Sequence, residues 1–239
     1  MTTSTYAPGT FCWHELGTRD REGAKKFFTA LLGWTAKDKT MPGEAGTYSI
    51  FQRDGGDVTG CYEMAGPMFE NVPPNWCAYV WTEDVDADVA KTLELGGEVI
   101  APAMDVPGVG RIAWLKDPAG AMFAVFMGRE HCGAVQSGQA HGTFCWNELV
   151  TRDVDGAKSF DGALFGWSAE EMPMGSATYV MFRKDGEQVA GMKAADESTG
   201  DAPPHWMPYL TVDDCDAFAA KVAGLGGAVY VPPTRIPVV

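Results

Sequence analysis

Two carboxylates stand out. Glu15 and Glu148 each sit in the second half of a short apolar stretch, and each follows a tryptophan two residues earlier, Trp13 and Trp146. A carboxylate in such a place is costly to bury without a partner. It can hold a cation, accept hydrogen bonds from a ligand, or act as a general base. Arg111 or a ligand cation are the candidate partners. Other chemistry is sparse. The four histidines show no H-x-H or H-x-x-x-H spacing, and the six cysteines (12, 61, 77, 132, 145, 215) show no C-x-x-C. No phosphate-binding G-x-x-x-x-G-K-[ST], no G-x-G-x-x-G after a strand and no G-x-S-x-G is present, so nucleotide binding and Ser-hydrolase chemistry lack support. Cys77 could serve as a pocket nucleophile, but no base is evident beside it.

The two carboxylates are equivalent positions of a repeat. Gly9–Trp34 and Gly142–Trp167 are identical at 18 of 26 positions at an offset of 133. The offset falls to 131 at Tyr48/Tyr179 and Gly60/Gly191, and to 130 at Pro73/Pro203 and Trp76/Trp206. These losses lie in hairpins and loops, where deletions are tolerated. The chain reads as a first module, 1–128, a polar and Gly-rich linker, 129–141, and a second module, 142–239. In the second, Val239 pairs with Val109, so the counterpart of Gly110–Met127 is missing. That segment reads as a hairpin turning at Asp117-Pro118-Ala119-Gly120. The expectation is a chain cut short rather than a gap filled from elsewhere, because an unpaired edge ending in Val-Val invites aggregation.

Within a module the pattern is βαβββ twice. Thr10–Thr18 alternates as a strand, Asp20 caps a helix and Gly33 ends it. A short strand near Thr35 and strands at Thr47–Arg53 and Val58–Met64 follow. Trp76–Thr82 is the next strand, Asp84 caps a helix through Leu95, and Gly96-Gly97 stops it. Strands at Glu98–Met104, Arg111–Lys116 and Met122–Met127 complete the module. The fold class is therefore α+β.

These features resemble the vicinal oxygen chelate superfamily, also called the glyoxalase/bleomycin resistance/dioxygenase family. The carriers are T-x-D-x-x-x-A-K-x-F at Thr18 and Thr151 running to L-x-G-W at Trp34 and Trp167, the acidic turns Glu83-Asp84-Val85-Asp86 and Asp213-Asp214-Cys215-Asp216, the Gly-Gly helix stop, and Gly110-Arg111 before Asp117-Pro118-Ala119-Gly120. The resemblance implies two tandem modules, each an open curved sheet with helices outside and a ligand pocket inside. The family hosts lyases, isomerases, ring-cleaving dioxygenases and antibiotic-sequestering proteins, so fold does not decide function. Its metal-dependent members place His, Gln or Glu on the first, fourth, fifth and eighth strands. Here those positions fall on Trp13, near Gly60 (with Glu63 reached by slippage), Cys77 and Ala124, and in the second copy on Trp146 and Met207. Trp and Ala cannot ligate a divalent metal, so no metal ligand is assigned.

The expected pocket places Trp13 and Glu15 inward, with Cys12 and Leu16 under the helix. A one-residue slip would turn His14 inward instead. His14 reads as a satisfied strand histidine, and His131 and His141 as solvated linker residues. His205, at a strand entry, reads equally as a rim contact or as having no role. Candidate lining is Trp13, Tyr48, Cys77, Tyr79, Trp81, Arg111, Trp114 and Phe126 in the first module, and Trp146, Tyr179, Met207 and Tyr209 in the second. Glu15 and Glu148 are the candidate catalytic carboxylates. Aromatic walls with one carboxylate suit a flat or cationic organic molecule. Such aromatics at alternating strand positions are as readily plain core. The reading is a small-molecule-binding, metal-free protein of bleomycin-resistance type, or a cofactor-free enzyme with a glutamate base. The alternative is a metal-dependent lyase or ring-cleaving dioxygenase, and only there does Zn, Ni or Fe enter. A general interaction scaffold would need an exposed apolar patch, which the sequence does not reveal.

Composition narrows the partners. Asp+Glu 32 against Lys+Arg 18 gives a net charge of −14. The modules share it evenly, 10 basic and 17 acidic residues in 1–128 and 8 and 15 in 129–239. Such a chain repels nucleic acid. No apolar run is long enough to span a membrane, and the N-terminus is no signal peptide. A reduced, cytoplasmic chain is expected, with the two modules packed together and a homodimer possible.

Overall fold

Each α-helix among the described residues starts at an aspartate. In the computed structural model, which describes residues 6–41, 46–134, 138–175 and 177–236, Asp20, Asp84, Asp153 and Asp214 accept hydrogen bonds from the backbone N–H three residues on, at 2.8–3.0 Å. These caps open α1 (Arg21–Leu32), α2 (Val85–Glu94), α3 (Val154–Phe165) and α4 (Cys215–Gly224). Each satisfies a donor that the first helical turn leaves orphaned. Gly33 and Gly166 end α1 and α3 at φ 71°, a left-handed conformation that a Cβ disfavours.

The strands follow the repeat. β1 (Phe11–Thr18), β2 (Thr35–Thr40), β3 (Thr47–Arg53) and β4 (Gly56–Glu63) surround α1 in sequence, and β5 (Asn75–Trp81), β6 (Glu98–Val106), β7 (Gly110–Lys116) and β8 (Met122–Gly128) surround α2. The second copy supplies β9 (Phe144–Thr151), β10 (Ser168–Met174), β11 (Ala177–Lys184), β12 (Glu187–Ala194) and β13 (His205–Leu210). The fold is α+β with two open sheets, ordered β2-β3-β4-β1-β5-β8-β7-β6 and β10-β11-β12-β9-β13. The β7–β8 turn closes as expected, with the Gly120 N–H donating to the Asp117 carbonyl at 3.0 Å. After α4, residues 227–236 form no strand. Their first-copy counterpart, β6, is paired along its length with β7, and no described residue plays that part here. Tyr230 is 93% exposed. Residues 1–5 and 237–239, which carry the expectations about the chain ends (Val239 included), lie outside the described residues.

The chain forms two compact units, each discontinuous in sequence. One contains Met1–Trp13, Cys77–Gly133 and Trp146–Tyr209; the other contains His14–Trp76, Ala134–Cys145 and Leu210–Val239. Each unit thus combines half of one repeat with half of the other. The first is built on Leu115, Phe123, Val125, Leu149, Phe160, Phe165, Trp167 and Phe182. The second is built on Leu16, Leu31, Leu32, Trp34, Phe51, Val58 and Phe144, with Phe27, Phe28, Phe218 and Val222 packed against them. Burial of each such side chain is worth about 1.5–3 kcal/mol. The units anchor themselves in matching ways. In the first, the Trp167 indole donates to the Gly9 carbonyl at 2.8 Å; in the second, the Trp34 indole donates to the Gly142 carbonyl at 2.9 Å. Trp34 and Trp167 are equivalent positions, and so are Gly9 and Gly142.

Among the described residues no helix is long and apolar enough to cross a membrane, and all six cysteines are free thiols.

Candidate functional site

The face of β9 turned away from α3 carries Trp146 and Glu148. Strand alternation puts Leu149 on the opposite side, in the core with Phe160 and Phe165. Parallel pairing with β12 sets Glu148 opposite Gly191, and β11 pairs Met181 with Gly191 and Tyr179 with Lys193. Gly191 is required here: a Cβ on it would collide with the Tyr179 hydroxyl. The absence of that one carbon lets the phenol lie across β12 toward Glu148.

The result is a wired carboxylate. Glu148 is 7% exposed. The Tyr209 hydroxyl of β13 donates to Glu148 Oε1 at 3.1 Å, and the Tyr179 hydroxyl lies close enough to feel the Glu148 charge. The Trp146 indole N–H donates to the Tyr179 oxygen at 2.9 Å. Lys193 Nζ lies 3.5 Å from Glu148 Oε1. Burial, reinforced by the Glu148 charge, pushes both phenols up from their ordinary values, so they remain protonated donors. Met207, two residues before Tyr209 on β13, is half-buried. This is a charge-compensated, aromatic-walled patch on one unit.

The first copy repeats parts of it. Glu15, 7% exposed, stands opposite Gly60, and the Tyr48 hydroxyl occupies the space a Gly60 Cβ would fill. Leu16 packs against α1 residues in the core of its unit. His14 stacks on Phe144 with ring centroids 3.9 Å apart, the environment of a packed core histidine. In the other unit Trp13 is 5% exposed and meets the His131 ring edge-on at 4.6 Å. Tyr79 meets Trp114 at 6.3 Å, Trp81 stacks on Tyr6 and meets Phe126 edge-on, and Cys77 is buried.

Three expectations need correction. Arg111 does not serve a glutamate of the strands: it forks onto Asp86 at 2.8 Å and reaches Asp105 at 3.1 Å. His131 is not a solvated linker residue, because Trp13 and Phe126 flank its ring. His141 is likewise held, accepting from the Asp213 N–H at 3.1 Å and packing on Phe218. His205 Nδ1 lies 2.8 Å from the Pro203 carbonyl at the start of β13. Lys193 was missed by sequence reasoning. The signal for it was present: it lies two residues beyond Gly191, on the face that Glu148 shares.

The superfamily resemblance raises a metal, and the described residues beside Glu148 do not make a donor set that fits one. Its neighbours are two protonated phenols and an ammonium, which repels a cation, and the facing strand offers Gly191. Among the described residues no group of three or more His, Cys, Asp or Glu is arranged to hold a metal ion.

Comparisons with known proteins agree with the fold. A family model described as "Glyoxalase-like domain" matches residues 13–126. A Mycobacterium tuberculosis protein with the provisional name glyoxylase CFP32 is 37% identical over 234 residues, 98% of this chain and 89% of that one. The anthracycline biosynthesis protein DnrV of Streptomyces peucetius is 35% identical over 243 residues, 97% of this chain and 87% of that one. Among solved structures, the Mn(II)-bound glyoxalase from Novosphingobium aromaticivorans superimposes with a TM-score of 0.61 at 15% identity, over 92% of this chain and 71% of that one.

Proposed function

Since the chain belongs to the glyoxalase-like family of the vicinal oxygen chelate superfamily, we propose that it binds a small organic molecule at the Glu148 patch without a metal, as bleomycin-resistance-type members do. The observation that carries this reading is the wired carboxylate beside Trp146. Glu148 offers its remaining lone pairs to ligand hydroxyl or amine donors, Trp146 and Tyr209 supply flat surface, and Met207 adapts to shape. Glu15 with Tyr48 is the corresponding pair in the first copy; Trp13, Cys77, Tyr79, Trp81 and Trp114 belong to the other unit and are proposed as an aromatic lining there. The free thiols suit a reducing, cytoplasmic setting.

The test is thermal unfolding of the full chain against a panel of aromatic hydroxyl compounds, antibiotics and α-ketoaldehyde adducts. A ligand at one hundred times its dissociation constant adds about 2.7 kcal/mol of stability. Glu148→Gln and Trp146→Ala abolish the shift; if both keep it, the site is elsewhere. A second reading, a metal-dependent lyase or ring-cleaving dioxygenase, draws on the glyoxylase name of the mycobacterial relative and on the likeness to a Mn(II)-bound glyoxalase. Stoichiometric Zn, Ni, Fe or Mn retained by purified protein after dialysis would establish it and remove the first.

A further inference from the structure

The two copies keep the same carboxylate, tryptophan, tyrosines and glycine, but differ beside the carboxylate. Glu148, Trp146, Tyr179, Gly191 and Tyr209 correspond to Glu15, Trp13, Tyr48, Gly60 and Tyr79. Lys193 corresponds to Tyr62, which pairs with Tyr48 as Lys193 pairs with Tyr179. Lys193 Nζ thus lies 3.5 Å from the Glu148 carboxylate, at a position where the first copy has Tyr62. The Lys193 side chain is 38% exposed and the Glu148 side chain 9% exposed, so the ion pair forms the solvent-facing side of the patch. An approaching organic cation meets an ammonium before the carboxylate. A neutral hydroxyl donor meets no such repulsion, and its proton can still reach the carboxylate.

Building on the binding reading above, we infer that Lys193 is the specificity-determining residue of the Glu148 patch, directing it to neutral aromatic hydroxyl compounds and against organic ammonium ions.

The experiment compares two isosteric probes, 2-naphthylmethanol and 2-naphthylmethylammonium, by calorimetric titration of the full chain. Wild type is expected to bind the alcohol about tenfold more tightly than the ammonium, the scale of one partly screened charge contact. Lys193→Met and Lys193→Tyr, both at an exposed side chain and checked for unchanged circular dichroism, reverse the order. Glu148→Gln added to Lys193→Met removes the ammonium's advantage. Equal preference in wild type and in both Lys193 variants overturns the assignment of Lys193 while leaving the binding reading intact. Failure of wild type and variants to bind either probe overturns the binding reading, and the inference with it.

Discussion

Asp161 occupies a position that the first repeat fills with an aromatic ring. Its counterpart, Phe28, packs against Trp34, Phe51 and Trp76. Asp161 lies on the buried side of α3 at 3% exposure, and its Oδ2 has no hydrogen-bond partner among the described residues. Burial pushes its carboxyl well above the ordinary value, and the charge of Asp117 adds to the push. Asp117, itself buried, takes N–H groups of Gly120 and Ala121 at 2.7 Å and feels Asp153. Replacing Asp161 with Leu keeps the branched heavy-atom outline, trades two oxygens for two larger methyl groups and removes the orphaned polar group. A buried unsatisfied polar group costs about 1–3 kcal/mol. A gain of about 2 kcal/mol raises the melting temperature of a chain this long by roughly 4–8 °C. The gain depends on pH with a definite sign. The folded chain keeps the Asp161 proton above about pH 3.9, where the unfolded chain releases it, so folded stability falls as pH rises from there toward the raised native value. The Leu variant lacks that slope. Calorimetry at pH 4 and pH 7 therefore shows a gap between variant and wild type that is wider at pH 7. A gap equal at the two pH values, or a Leu variant less stable than wild type at pH 7, refutes the reasoning.

Two further outcomes follow from local geometry. Gly191→Ala drives a methyl into the Tyr179 phenol, releases the Trp146 indole N–H and costs about 1–3 kcal/mol. The Trp146 indole resonance in NMR and urea unfolding report both effects, and an unmoved resonance would show that the phenol does not lie across β12. Asp20→Ala and Asp153→Ala each remove a helix cap and lower stability by about 1 kcal/mol in urea, with Asp→Asn preserving most of it; indifference to the Ala changes would mean the caps contribute nothing.

The elements were legible because local signals are strong and repeated. Capping aspartates, terminal glycines and alternating strands place α1 through β8 within one or two residues of the structure. The duplication also guided the reading of the first strand, where a carboxylate kept in both copies counted for more than His14, which becomes Asn147 in the second copy; Leu16 does lie on the side of α1. What stayed hidden depends on packing distant in sequence. Nothing local to Arg111 announces Asp86 and Asp105. The ring of His131 is held by aromatics from β1 and β8 that a Gly-rich linker pattern cannot reveal. Lys193 reads as an exposed strand residue until the β9–β12 register sets it diagonally across from Glu148. The repeat boundary after residue 128 likewise says nothing of the discontinuous units, because sequence similarity reports ancestry and compactness reports contacts.

Those discontinuous units bear on how the chain comes to be folded. Synthesis delivers residues in order, yet Gly9 waits for Trp167 before its carbonyl is satisfied, and α1 waits for α4, whose Lys221 donates to the Leu31 carbonyl at 2.8 Å. Each unit is completed late, by contacts spanning more than half the chain, and such closures are slow compared with local ones. The first repeat emerges with its aromatic faces uncovered until the second arrives, so the interval of greatest exposure to aggregation falls between the two copies.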